Sequence, residues 1–200
     1  MSHLATAEHP DADLTSFQLA AWQEQLKDWQ GAVSLHNSAA ARTRSTGASD
    51  WARLGYALYG GQINGLPNDE TLRPAMRFTT SVLTLRDVKR GESVGYGGRW
   101  VAQRDSRIAT LPVGYADGYP WAARDGAPIG IADHIVPLAG RVSMDMVTVD
   151  VTDCAHIEVG VPAVLWGSQP SVDEVAEHCN TIGYELMTRV TSRVPRCYHP

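Results

Sequence analysis

The stretch LPVGYADGYP at residues 111–120, followed by PLAGRVSMDM at residues 137–146, is the most informative part of this sequence. In both segments an apolar run ends in a polar cluster. The first cluster places Tyr115 in a turn between glycines, and the second places an arginine, a methionine and an aspartate at the start of a strand. These two segments therefore indicate both β-structure and a polar site.

The same pattern of β-branched runs separated by turns extends from about Arg73 to residue 166. It predicts an all-β sandwich or barrel. The expected strands include residues 78–85, 93–96, 107–112, 129–132, 135–138, 146–151 and 163–166. Two short helices are expected after them. Ser171 and Glu174 form a capping box for the first helix, and the second spans residues 184–189.

The first 70 residues have a different pattern. A helix is predicted over residues 11–30, with Asp13 as its cap. A short strand is expected at 32–35, a short helix at 39–44 and a second apolar run at 54–59. This alternation of strand, helix and strand suggests βα units around a parallel sheet. A closed α/β barrel needs about 200 to 250 residues. We therefore expect this part to be a segment cut from a larger domain.

Composition and charge exclude several classes of protein. The net charge is −5, and the sequence has no basic stripe that would bind nucleic acid. No apolar run approaches the ~20 residues of a membrane span, and the N-terminus does not resemble a secretory signal. The three cysteines lack the spacing of a structural zinc site or a redox motif. We expect a cytoplasmic protein with no metal site.

Together, residues 111–120 and 137–146 resemble the signature of the second domain of the fold-type III, pyridoxal-phosphate-dependent alanine racemases. The resemblance implies that Tyr115 is the base on one face of the substrate, while the cofactor lysine serves the other face. A phenol is a weak base at neutral pH, so a nearby cation is needed to favour phenolate. Met144 and Asp145 match the family's Gly-Arg-x-x-Met-Asp, which implies that they line the partner subunit's substrate pocket.

A second group of residues resembles the family's cofactor site. Ser38 follows a predicted strand and begins a predicted helix, where a hydroxyl and backbone N–H groups suit a phosphate. Residues 51–60, WARLGYALYG, resemble the family's Arg-x-Gly-x-x-x-Tyr-Gly. This likeness implies that Arg53 hydrogen-bonds the pyridine nitrogen of pyridoxal 5'-phosphate. It also implies that the N–H groups of Gly55 and Tyr56 join Ser38 on the phosphate.

The resemblance covers essentially the whole chain and corresponds to roughly the C-terminal half of a family member. It implies a fold that is α/β plus all-β. Residues 1–70 would be the last βα units of a (β/α)8 barrel, and residues 71–200 a mainly β-strand C-terminal domain. The sequence has two lysines, Lys27 and Lys89, and neither lies in a motif like that of the family's Schiff-base lysine.

The implied function is interconversion of L- and D-alanine, which supplies D-alanine for cell-wall peptidoglycan. The resemblance also implies a homodimer whose active sites are shared between subunits. Without an imine-forming lysine the 200-residue chain is predicted to be inactive alone. The alternative is a non-catalytic module, or one half of a split enzyme that needs a separate N-terminal half. The Gly-Tyr-Ala-Asp-Gly turn disfavours an amino-acid decarboxylase of the same cofactor class.

Overall fold

A computed structural model describes residues 1–43, 47–63 and 65–198 of the chain. The chain divides into two compact units, which we call the N-terminal unit (Met1–Ala75) and the C-terminal unit (Met76–Pro200). The predicted fold class, α/β plus all-β, is confirmed as a mixed helix–sheet structure whose hydrogen-bonded sheets are antiparallel.

The described residues of the N-terminal unit form three helices, which are α1 (Asp13–Gln25), α2 (Ser38–Thr43) and α3 (Gly55–Leu58). Helix α1 is shorter than predicted. Its N-cap is Ala12, so the predicted cap Asp13 is instead the first helical residue. The predicted end of α2 at Arg44 lies outside the described residues.

Two strand predictions for this unit are wrong. Residues 32–35 form no strand, and two of their backbone N–H groups donate to side chains. The N–H of Val33 donates to Asp50 and that of Leu35 donates to Ser49, at 2.7 and 2.9 Å. The run at 54–59 forms α3 instead of a strand. A single parallel bridge between Asn37 and Arg53 is the nearest approach to a βα sheet in the described part of this unit.

The C-terminal unit contains nine strands in its described residues. They are β1 (Phe78–Ser81), β2 (Thr84–Val88), β3 (Ser93–Val94), β4 (Trp100–Val101), β5 (Ser106–Leu111), β6 (Pro128–Ile131), β7 (His134–Pro137), β8 (Val147–Asp150) and β9 (Pro162–Trp166). They pair as β1-β9-β6-β7, β2-β5-β8 and β3-β4, and every pairing is antiparallel. A bridge between Leu138 and Val149 connects the two larger sheets.

The main apolar core packs residues of the two larger sheets against two C-terminal helices, α4 (Val172–His178) and α5 (Gly183–Arg189). A smaller, separate apolar cluster contains Val88, Val94, Ala102, Ile108 and Ala139. Trp166 is fully buried in the main core, with the ring of Phe78 at 4.7 Å and that of Tyr119 at 6.3 Å. The loops that follow β5 and β7 leave this core and carry the two quoted motifs, so the sandwich sets their positions.

None of the helices in the described residues combines the length and apolar character needed to cross a bilayer.

Candidate functional site

The turn that carries Tyr115 lies directly against the turn that carries Met144. The backbone N–H of Tyr115 donates to the carbonyl of Ser143, and that of Ala116 donates to the carbonyl of Met144, both at 3.0 Å. A Cβ at Gly114 would overlap both of these carbonyl oxygens, so the close approach requires glycine there. The structure therefore brings the two sequence motifs together on one surface of the C-terminal unit.

Both predicted side chains of this surface are accessible. Tyr115 is 38% exposed and Met144 is 52% exposed, whereas Tyr119, four residues after Tyr115, is fully buried. Burial strongly raises the pKa of the Tyr119 phenol, so this group stays neutral. Of the two tyrosines in the motif, Tyr115 is the one that can meet a substrate.

The Tyr115 turn is closed by its own aspartate and by the end of the chain. The carboxylate of Asp117 accepts the N–H of Gly114 at 2.9 Å. Gly118 has a φ of +110°, and a side chain there would also overlap the carbonyl of Arg189. The hydroxyl of Thr191 donates to the carbonyl of Ala116 at 2.8 Å. These contacts fix the direction in which the backbone presents Tyr115.

Asp145, the third residue predicted for this surface, is ion-paired. The Nη2 of Arg193 donates to Asp145 Oδ1 at 2.9 Å, and Arg193 Nε lies 3.5 Å from Asp117 Oδ1. The hydrogen bond to Asp145, together with the charge of Asp117, raises the pKa of Arg193. Sequence reasoning did not single out Arg193 in this role, because it is 48 residues from Asp145. Nearby, the guanidinium of Arg141 lies 5.0 Å from the Trp121 ring centroid.

In the N-terminal unit, the residues predicted to bind phosphate lie together at the first turns of α2 and α3. Ser38 is buried at the start of α2, and its hydroxyl oxygen accepts the N–H of Ala57 in α3 at 3.2 Å. Gly55 and Tyr56 begin α3, and a Cβ added to Gly55 would meet no atom within 4 Å. This combination of a hydroxyl, helix-start N–H groups and open space above Gly55 fits an anionic group.

Arg53 is held half-buried beside these helices. Its Nη1 donates to Ser34 Oγ at 2.6 Å and its Nη2 donates to the carbonyl of Ser2 at 2.7 Å. His3 Nδ1 lies 3.4 Å from the same Nη2, and His3 Nε2 lies 3.1 Å from the Asn37 amide. The sequence patterns did not select His3, because its contact with Arg53 spans 50 residues.

The two lysines of the sequence are both exposed and ion-paired. Lys27 lies 2.6 Å from Glu24, and Lys89 lies 2.8 Å from Asp105. Hydrogen bonding to Asp105 and the charge of that residue raise the pKa of Lys89, which keeps it protonated and a poor nucleophile. Both lysines are therefore engaged in exposed ion pairs, whereas the Ser38 hydroxyl and the helix-start N–H groups of α3 fit the phosphate of pyridoxal phosphate.

Comparisons with known proteins agree with these motifs. The model for the alanine racemase C-terminal domain matches residues 75–198, and that for the N-terminal domain matches residues 1–63. The chain is 47% identical over 200 residues to an alanine racemase of Stutzerimonas stutzeri, covering 99% of this chain and 56% of that protein.

Solved structures show the same relationship. The biosynthetic alanine racemase of Pseudomonas aeruginosa superposes with a TM-score of 0.95 at 46% identity, covering 99% of this chain and 56% of that one. The Bartonella henselae alanine racemase with covalently bound pyridoxal phosphate gives a TM-score of 0.89 at 31% identity, covering 98% and 55%. The chain thus spans about half the length of the relatives it matches.

Proposed function

The chain belongs to the alanine racemase family, and we propose that it supplies the C-terminal part of an enzyme that interconverts L- and D-alanine. The observation that carries this proposal is the joined pair of turns that presents Tyr115 beside Met144 on an accessible surface. The D-alanine formed would supply cell-wall peptidoglycan, as in the family that the sequence resembles.

In this proposal Tyr115 exchanges a proton with the α-carbon of alanine on one face. When bound, pyridoxal 5'-phosphate would supply the electron sink that makes this proton acidic. Met144 would limit the space around the alanine methyl group. The backbone hydrogen bonds between the two turns would limit the movement of the Tyr115 phenol relative to the Met144 side chain. Holding reacting groups in a fixed orientation raises the rate of reaction.

The cofactor-binding residues would act without covalent attachment. Ser38 and the N–H groups of Gly55 and Tyr56 would bind the phosphate. Arg53 would donate a hydrogen bond to the pyridine nitrogen and keep that nitrogen unprotonated, because a guanidinium does not give up its proton. The bonds from Arg53 to Ser34 and Ser2 support this assignment, since they hold the guanidinium in one orientation.

We further propose a cytoplasmic homodimer in which Tyr115, Met144 and Asp145 serve the partner's site. The support for shared sites is the family resemblance of both motifs. The support for a reducing compartment is that Cys154, Cys179 and Cys197 are free thiols. The 200-residue chain alone is expected to lack racemase activity, because neither Lys27 nor Lys89 is placed to form an imine.

The test is complementation. The chain is co-expressed with the N-terminal segment of the P. aeruginosa relative that precedes the matched region, and conversion of L-alanine to D-alanine is measured with added pyridoxal phosphate. We expect activity only when both parts are present. Tyr115→Phe should then lower the rate by about 10²- to 10⁴-fold, the usual contribution of a general base.

Tyr119→Phe is the matched control, because it removes a phenol oxygen from the same motif at a fully buried position that makes no contact with substrate. That variant should remain active. Racemisation by the chain alone that disappears in Tyr115→Phe would contradict the predicted inactivity. A stable two-part complex that binds pyridoxal phosphate but does not racemise alanine would overturn the proposed function.

A further inference from the structure

We propose that Arg193 is a positioning residue that ties the Tyr115 turn to the Met144 turn through the carboxylates of Asp117 and Asp145. The consequence for catalysis rests on the proposed function, whereas the structural part can be tested without any activity. The guanidinium spans two different loops, with one nitrogen 2.9 Å from Asp145 and another 3.5 Å from Asp117.

Asp117 is the residue through which the ion pair of Arg193 affects Tyr115. One carboxylate oxygen of Asp117 accepts the N–H of Gly114 and so closes the turn around Tyr115, while the other faces Arg193. Asp145 directly follows Met144 in the other turn. Without Arg193, the two turns would bring two carboxylates to one place with no cation between them, and their repulsion would oppose the contact of the turns.

The position of Arg193 is itself fixed by the backbone before it. The N–H of Thr191 donates to the carbonyl of Asp117 at 3.1 Å, and the Thr191 hydroxyl donates to the carbonyl of Ala116 at 2.8 Å. The segment after α5 is therefore docked on the Tyr115 turn two residues before the arginine. Because the backbone is already anchored there, the ion pairs need to restrict only the side chain of Arg193.

The ion pair with Arg193 also indicates a role for Asp145. Its Oδ1 accepts a hydrogen bond from Arg193, so Asp145 is linked to the Tyr115 turn through the Arg193 guanidinium. An ion-paired carboxylate at the base of the Met144 turn is suited to holding that turn in place.

Residue-resolved amide hydrogen exchange on the 200-residue chain tests this role. The reporters are the N–H groups of Tyr115 and Ala116, which join the two turns. In Arg193→Ala both should exchange about three- to tenfold faster, because exposed ion pairs are individually weak but two are lost together. Arg193→Lys should restore part of the protection, and Asp145→Asn should lose part of it.

Arg104→Ala is the matched control, because it removes an exposed arginine paired with Asp153 in the same unit. It should leave both reporters unchanged, and the N–H of Ala109 in β5 should exchange equally in all variants if the core is intact. The proposal is overturned if Arg193→Ala leaves the reporters unchanged, or if it accelerates Ala109 as much as Tyr115. In the complemented enzyme, Arg193→Ala should lower kcat more than it raises KM, with partial rescue by lysine. If complementation fails, the hydrogen-exchange result alone decides whether Arg193 ties the two turns together.

Discussion

At the scale of single residues, the motif at 111–120 separates two tyrosines into opposite roles. Tyr115 sits in a glycine-bracketed turn and is partly exposed, whereas Tyr119 stacks on Trp166 in the core. The Tyr119 hydroxyl has no hydrogen-bond partner among the described residues. Burying a phenol in this way is costly unless the ring contributes packing. We therefore assign Tyr119 to the core and Tyr115 to the surface site.

Gly114→Ala should destabilise the C-terminal unit, because the added methyl group would overlap the carbonyl oxygens of Ser143 and Met144. The expected loss in the free energy of unfolding is about 1 to 3 kcal/mol, measured by urea unfolding with circular dichroism. Gly167→Ala is the control, since its methyl group would meet the flexible side chain of Arg77 at 3.1 Å. Equal stability of the two variants would refute this account of the Gly114 contact.

Sequence patterns selected the candidate site residues but not the contacts between them. Tyr115 and Met144 could be selected because each lies in a local motif that resembles the family. The ion pairs of Arg193 could not be foreseen, because they join residues far apart in sequence and depend on how α5 ends. His3 was missed for a related reason, since its contact with Arg53 spans 50 residues.

At the scale of secondary-structure elements, prediction succeeded where one short segment determines its own structure. The capping box of α4 is present, with Ser171 accepting the N–H of Glu174 and Glu174 accepting that of Ser171. The predicted run at 78–85 is instead divided between β1 and β2, which belong to different sheets. Periodicity alone cannot locate this change of sheet, because Val82 and Leu83 continue the apolar run between the two strands without a turn residue.

Ser171→Ala should lower the free energy of unfolding by about 1 kcal/mol, because it leaves the N–H of Glu174 without its side-chain acceptor. The measurement is urea unfolding of the 200-residue chain. Glu177→Ala, which changes an exposed residue of the same helix, should have a smaller effect. A Ser171→Ala variant as stable as the original chain would show that the capping box is not needed to hold α4 on the core.

At the scale of the whole chain, the two units differ in how much of their structure the sequence could predict. The C-terminal unit has paired antiparallel strands around a large main core, so its alternating pattern was informative. In the N-terminal unit, the N–H groups of Val33 and Leu35 donate to side chains, and Phe17 and Trp51 are exposed. Strands of a parallel sheet form by pairing with neighbouring strands, and the described residues of this unit supply only one parallel bridge.

Stability of the C-terminal unit should fall as the pH rises from about 9 to 11. Burial raises the pKa of the Cys179 thiol from 9.0 to about 11 in the folded chain. Over this range the unfolded chain loses a proton that the folded chain keeps, so rising pH favours unfolding. Cys179→Ser should make the fall in urea-unfolding free energy shallower between these pH values, whatever its effect at pH 7. Cys197→Ser is the matched control, because it makes the same substitution at an exposed thiol. Parallel pH profiles for all three chains would show that Cys179 does not contribute to alkaline unfolding.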